Sequence, residues 1–254
     1  MLARNQNKPS AQELNAIRRE AELPKWAPLY RIAGVAAIVM LVLMPIQIAV
    51  FTIWPTPSSV PEWFRLFKDN WLLGLMHLDL LYIINNIIVA IMCLAFCMSL
   101  RQKHEALLMI ALLAGLLGIG AYFSSNSAFE MLDLSRQFAQ SASDAEKAIH
   151  LAAGQVMIAQ WKGTAFDIYY ELNAVSLLIM AGVMFKSAVY GKTMAAFGFL
   201  SGLLMLIPST AGMIGRVFAL ASLVPWAVFS AMSARKWLRL FRLGQEAAFG
   251  AYLS

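Results

Sequence analysis

Charge is scarce in this chain. Only 13% of its 254 residues are Asp, Glu, Lys or Arg, against roughly a quarter in an ordinary soluble domain. That shortfall excludes a soluble enzyme, a disordered protein and a nucleic-acid-binding domain. Histidine is scarce too, with three residues. Haem held by two histidines needs both at one depth on facing helices. Only His77 lies inside an apolar segment, while His104 sits at the end of another and His150 in a polar loop, so haem is disfavoured and no cofactor is expected. The two cysteines, Cys93 and Cys97, are four apart in an apolar run. Neighbouring turns of one helix do not give disulfide geometry, so they read as small core residues. The sequence has no G-x-S-x-G elbow, no H-E-x-x-H and no P-loop, which removes the usual serine-hydrolase, zinc-protease and ATP-binding signatures. Residues 1–29 are polar and the first apolar segment is too long for a leader's apolar region, so a secretory signal is not expected.

What is abundant is apolar. Hydrophobic residues make up 60% of the chain, with a mean hydropathy of +0.66. A membrane-crossing helix needs about 20 such residues in a row. Six segments qualify, near 30–54, 71–100, 106–125, 164–187, 193–214 and 217–234. A membrane barrel would instead show short alternating strands. The sequence therefore predicts an all-α fold, a polytopic six-helix transmembrane bundle. It divides into a cytoplasmic segment at 1–29 with a short amphipathic helix, a membrane domain at 30–240, and a cytoplasmic tail at 241–254. The one long loop, 126–162, is expected to form an outer amphipathic helical hairpin, because Ser143 and Glu146 read as a capping box opening its second helix. Ser10 and Glu13 form a similar box at the start of the N-terminal helix.

Charge placement predicts orientation. The net charge is +6 and the isoelectric point about 9.4. The basic residues flank apolar segments rather than forming a patch, which argues for orientation in a membrane and against nucleic acid. With the N-terminus inside, 14 of the 20 basic residues and five of the 14 acidic ones face the cytoplasm. Both termini are thus expected there. Residues 54–71, three prolines followed by Trp63, Phe64, Phe67 and Trp71 among charges, read as an interfacial anchor.

Polar groups inside membrane segments are costly, at about 2.5–3.5 kcal/mol each for a central charge on insertion scales, so they mark candidate function. They gather at the outer ends of the spans. The second span holds His77, Asp79, Tyr82, Asn85 and Asn86; the third ends at Ser125 and Asn126; the fourth holds Asp167, Tyr170 and Glu171; the sixth opens with Arg216. On an ideal helix Asp79, Tyr82 and Asn86 share one face. Asp167, Tyr170 and Glu171 share one face of the fourth span, and Tyr169, Asn173 and Ser176 the opposite one. Together these residues predict an outward-facing polar pocket, with Arg216 as the expected partner of Glu171 or Asp79. The pocket would bind a lipid, a small solute or a partner subunit, in a sensor or accessory role. A membrane-embedded metal-dependent hydrolase, with a divalent metal on His77, Asp79, Asp167 and Glu171, is the alternative. A small transporter is another, since two halves of three spans have inverted topology. The bilayer is the expected partner, with further membrane subunits or a second copy as others.

The strings SSNSAFEMLDLSRQFA (124–139), AGQVMIAQ (153–160) and GFLSGLLMLIPSTAGMIGRVFALASLVPWAVFSAMSARKWLRL (198–240) resemble a bacterial family of six-span integral membrane proteins of unknown function. The resemblance implies a six-helix fold in the cytoplasmic membrane. It carries no activity and no functional residues.

Overall fold

The computed structural model describes residues 10–252 apart from Pro24, with side chains as far as Phe249. Ten helices account for them: α1 (Ala11–Glu20), α2 (Ala27–Ile53), α3 (Val60–Asp69), α4 (Trp71–His77), α5 (Leu80–Ser125), α6 (Ala128–Gln140), α7 (Asp144–Trp161), α8 (Thr164–Met184), α9 (Lys192–Met205) and α10 (Gly212–Tyr252). No strand occurs among the described residues. Four helical stretches, Ala27–Ile53, Leu80–Gln140, Asp144–Met184 and Gly212–Phe249, are long and apolar enough to cross a bilayer. Large apolar side chains stay exposed along them, including Ile32, Ile110, Leu113 and Val224, as lipid-facing surfaces require. The chain is an all-α membrane protein.

α5 is two rods. Its backbone leaves helical geometry at His104 (φ −154°, ψ 74°), and the chain doubles back so that the Cys97 thiol reaches the Leu108 carbonyl at 3.7 Å. α2 packs on α5 and α10, α10 on α9, α9 on α8, and α8 on α5, which closes a ring. Glycines set the closest approaches. A Cβ on Gly118 would lie 2.5 Å from Asn173 Nδ2, and one on Gly34 would lie 2.9 Å from Leu238; neither gap admits a larger residue without movement.

One end of the ring carries a helical cap. α3, α4, α6 and α7 bury Trp63, Phe64, Phe67, Leu75, Leu78, Met131 and Trp161 in a core of their own. The expected hairpin at 126–162 is therefore present as α6 and α7. Ser143 Oγ accepts from the Glu146 N–H (3.2 Å), and the Glu146 carboxylate accepts from the Ala142 N–H (2.8 Å). The interfacial-anchor reading of 54–71 is corrected. Trp63, Phe64 and Phe67 are at most 3% exposed, because α6 and α7 offer them an apolar partner; Trp54 and Trp71, at the two ends of the segment, stay open at 45% and 54%.

The opposite end carries a strap. α1 has the full Ser10–Glu13 capping box and leads into two acidic residues that hold the bundle. Glu20 is 5% exposed. It accepts from the Ser187 hydroxyl and the Ala188 N–H (3.0 Å), and Lys103 Nζ lies 3.3 Å away. Glu22 sits at φ 48° and accepts from Arg101 Nε (2.8 Å) and Nη2 (2.6 Å), Gln102 (2.7 Å) and Trp26 (3.2 Å). These bonds, Arg101's foremost, hold its carboxyl below the ordinary carboxylate range.

Three boundaries differ from the sequence expectation. The segment at 71–100 is interrupted at Leu78 and Asp79, separating α4 from α5. α9 ends at Met205 rather than 214, since Pro208 cannot continue a helix, and α10 starts at Gly212, whose φ is +67°. The tail at 241–254 continues α10 to Tyr252. Residues 1–9, with Arg4 and Lys8, lie outside the described residues.

Candidate functional site

The ring forms a chamber of about 200 Å³ that is open on one side, where the exposed Ile48 and Leu220 line it. Its walls come from α2, α5, α8 and α10, with Met205 from the end of α9. Leu43, Met44, Val89, Met92, Leu177, Met180 and Leu223 make it mainly apolar, and Gln47, Asn85, Tyr169, Asn173 and Ser176 add polar atoms. Along α5 it runs from Tyr82 to Phe96, about 21 Å at 1.5 Å per residue. Prolines Pro45 and Pro225 interrupt α2 and α10 beside it; each removes one helical hydrogen bond and provides a bending point in the wall.

Toward the cap the chamber meets a second cavity of about 460 Å³, lined by Phe51, Asp79, Tyr82, Trp161, Lys162, Phe166, Tyr170, Ser209, Thr210 and Arg216. Tyr82 and Tyr170 line both spaces and form the collar between them. The second cavity, the mouth, adjoins the first, and its wall carries the charged groups of Asp79, Lys162 and Arg216 among apolar surface. At the other end Phe96 closes the chamber. Its ring lies 5.2 Å from Phe229 and 4.5 Å from Trp237. Behind it Trp237 Nε1 donates to the Tyr190 hydroxyl (2.9 Å), which lies 2.7 Å from the Ser99 hydroxyl. All of these groups are buried.

Asp79 is built into the mouth by its backbone. It occupies the left-handed region (φ 64°, ψ 29°) as the N-cap of α5, a conformation Asp and Asn tolerate better than other side-chain-bearing residues. Its carboxylate accepts from Trp161 Nε1 at 2.7 Å, and its carbonyl accepts from the Tyr122 hydroxyl at 3.2 Å. Asn126 Nδ2 donates to the Leu78 carbonyl (2.9 Å) and Asn126 Oδ1 accepts from the Ala128 N–H (3.2 Å). The α4–α5 break is thus satisfied from the cap side.

The sequence candidates divide accordingly. Asp79, Tyr82, Tyr170 and Arg216 meet in the mouth, and Asn85 lines the chamber. Asn86 is buried and donates to the Tyr82 carbonyl (2.9 Å). Ser125 donates to the Tyr122 carbonyl (2.8 Å), and both Ser125 and Asn126 are structural. His77 lies outside both cavities. It is fully buried with its ring edge-on to Phe51 (5.3 Å) and Trp63 (6.3 Å), and neither ring nitrogen has a partner. Asp167 accepts from the Thr210 hydroxyl. Glu171 is exposed.

Two expectations are corrected here. Arg216 forms no ion pair among the described residues; Glu171 is exposed and the Asp79 carboxylate is turned onto Trp161. The proposed ligand set of His77, Asp79, Asp167 and Glu171 does not converge. No group of three His, Cys, Asp or Glu side chains with metal-holding geometry occurs among the described residues. Of the two faces of α8, the one carrying Tyr169, Asn173 and Ser176 turns inward, with Tyr170 at its edge. Sequence reasoning missed Gln47, a lone amide in a long apolar helix, and Trp161 and Lys162 at the α7–α8 junction. The Gln47 amide donates to the Met76 carbonyl (3.4 Å). An isolated polar residue in α2 was the available signal for it.

Comparison with protein-family models, curated proteins and solved structures finds no match to this chain.

Proposed function

We propose that the chain belongs to the bacterial six-span family that it resembles. On this reading it crosses the cytoplasmic membrane six times with both termini inside, and binds a single-chain amphiphile in its pocket as a sensor or accessory subunit. One observation carries the ligand class. An apolar chamber adjoins, across Tyr82 and Tyr170, a cavity that carries three charged side chains, and Phe96 lines its far end. An amphiphile has that division, with a tail for the chamber and a head for the mouth. The chamber's lining runs about 21 Å along α5, more than the roughly 15 Å of one leaflet's hydrocarbon, so a tail enters it lengthwise. Its volume of about 200 Å³ lies below the ~300–1,000 Å³ of pockets for drug-sized ligands, so it takes part of one chain and excludes a second.

Six crossings need α9 to complete one of them. Its 14 residues rise about 21 Å, and residues 206–211 supply the rest. Irregular backbone at that depth is tolerated where it borders protein or a cavity, and Ser209 and Thr210 line the mouth.

The test is ligand retention. Full-length protein extracted into nanodiscs without detergent is analysed by mass spectrometry for bound lipid. Val89→Phe with Leu223→Phe fills the chamber from two walls. Wild type should carry about one amphiphile per chain and the filled variant almost none. Equal retention by the two would refute the reading.

A further inference from the structure

We infer that the head of this amphiphile is an anion, a carboxylate or phosphate, seated between Lys162 and Arg216. The inference rests on the pocket reading above. The mouth has three charged residues, Asp79, Lys162 and Arg216. The acid is already engaged: Asp79 is 7% exposed and its carboxylate takes the Trp161 N–H. The next acid, Asp167, takes the Thr210 hydroxyl. Each acid near the mouth is thus hydrogen-bonded by a neutral donor, and Lys162 acts on Asp79 only through its charge at longer range. The two cations have no acidic partner within ion-pair distance among the described residues. Lys162 Nζ instead lies 4.8 Å from the Trp161 ring, and Arg216 is exposed. They stand on different walls, Lys162 between α7 and α8 and Arg216 in the first turns of α10. Tyr82, Tyr170 and Ser209 add hydroxyl donors to the same space.

This arrangement suits an anion. A guanidinium offers a planar fork that fits carboxylate and phosphate oxygens, and an ammonium adds a point charge. A cationic head would face two like charges, with the one acid in the mouth turned aside. A neutral head would leave the Arg216 guanidinium without a charged partner in the mouth. With its tail in the chamber, an anion places its charge above the Tyr82–Tyr170 collar, where these side chains surround it.

The experiment uses full-length protein in phosphatidylcholine nanodiscs and four probes with one common acyl chain: the free fatty acid, lysophosphatidylglycerol, lysophosphatidylcholine and monoacylglycerol. At least one anionic probe should bind about tenfold or more tighter than the two net-neutral ones, the scale of one charge-assisted contact. Preference for the fatty acid identifies a carboxylate, and preference for lysophosphatidylglycerol a phosphate. Arg216→Gln and Lys162→Gln should each weaken the anion about tenfold, and added salt should do the same in part. Arg216→Lys should retain part of the affinity. Equal binding of all four probes, or anion binding unmoved by both Gln variants, would overturn the anionic head and leave the chamber standing. Absence of binding by every probe, or binding undisturbed by the chamber-filling pair Val89→Phe and Leu223→Phe, would overturn the pocket reading itself.

Discussion

Asp79 combines two energetic roles that substitution can separate. Its backbone is left-handed (φ 64°), and its carboxylate satisfies the indole N–H of Trp161, a residue 7% exposed. An alanine in the left-handed region costs about 1–2 kcal/mol. A buried donor left without a partner costs about 1–3 kcal/mol. Asp79→Ala incurs both and should destabilise the fold by roughly 2–5 kcal/mol. Asp79→Gly relieves the backbone and loses only the acceptor, at about 1–3 kcal/mol. Asp79→Asn keeps the backbone tolerance and an oxygen for Trp161, and should stay within about 1 kcal/mol of wild type. The expected order of stability is Asn above Gly above Ala.

The assay is unfolding in mild detergent followed by circular dichroism, where 1 kcal/mol shifts the midpoint by roughly 2–4 °C for a chain of this size. Trp161→Phe removes the donor, so Asp79→Gly and Trp161→Phe together should cost less than the sum of the two. Equal stability of Asp79→Ala and Asp79→Asn would show that neither the backbone nor the indole bond matters, and the account of the mouth would fail.

Other outcomes are directly measurable. Gly118→Ala, whose Cβ would meet Asn173 at 2.5 Å, should lower stability by about 1–3 kcal/mol; Gly120→Ala, with nothing within 4 Å, should be neutral or raise it by up to about 1 kcal/mol, and the reverse order would contradict the α5–α8 packing. Glu22's carboxyl is held below its ordinary value of 4.5 by Arg101. Its contribution is therefore complete above pH 4.5 and is lost as pH falls through the depressed value. Protease protection of α1 should hold down to about pH 4.5 and fade as the pH falls further, and Arg101→Ala should remove most of that acid dependence. For orientation, Cys93 and Cys97 are buried, so single cysteines can be read against a low background. Ala142→Cys should react with an impermeant reagent on intact cells and Ala188→Cys should not; labelling of Ala188→Cys would invert the topology.

Helix existence was legible because apolar length is a one-dimensional property. The break at Asp79 was not, since the local sequence His77-Leu78-Asp79-Leu80 contains neither Gly nor Pro. The chain turns there because Tyr122 and Asn126, more than 40 residues on, satisfy the freed carbonyls. The inward face of α8 was misjudged for a physical reason. Asp167 and Glu171 lie in the first two turns, where a carboxylate reaches water or a neighbouring hydroxyl, so depth alone did not force them inward. Asn173 and Ser176 lie further down the helix on the face that Tyr169 shares, where a polar group finds either the neighbouring helix or its own backbone. Ser176 reaches the Ala111 carbonyl at 2.7 Å, and Asn173 reaches Tyr169's at 2.9 Å. Trp63, Phe64 and Phe67 fit an interface or a core equally well in sequence; the partner surfaces of α6 and α7 decide between them. The strap was invisible because Glu20 and Glu22 find their partners at Lys103, Arg101 and Ser187, which no local pattern announces.

The floor of the chamber separates a binding protein from a transporter. Trp237 Nε1 donates to the Tyr190 hydroxyl, Tyr190 pairs with the Ser99 hydroxyl, and Ser99 donates to the Phe96 carbonyl at 3.1 Å. The Ser99 hydrogen goes to that carbonyl, so the Tyr190 hydrogen goes to Ser99 and the Trp237 hydrogen to Tyr190. This directed chain joins α10, the α8–α9 loop and α5 behind the Phe96 ring. The Glu20 carboxylate grips the same loop through Ser187 and Ala188. A path through the bundle would have to break these bonds, separate the rings of Phe96, Phe229 and Trp237, and release the strap. Tyr190→Phe tests which role the floor has. It leaves the fully buried Trp237 N–H without an acceptor, at about 1–3 kcal/mol. If the floor is a fixed closure, the variant should lose that stability while liposomes containing it stay as tight to small solutes as wild type. If the floor is a gate, weakening its latch should raise solute leak several-fold. A leaky Tyr190→Phe variant would favour transport over binding and would refute the closed-floor reading.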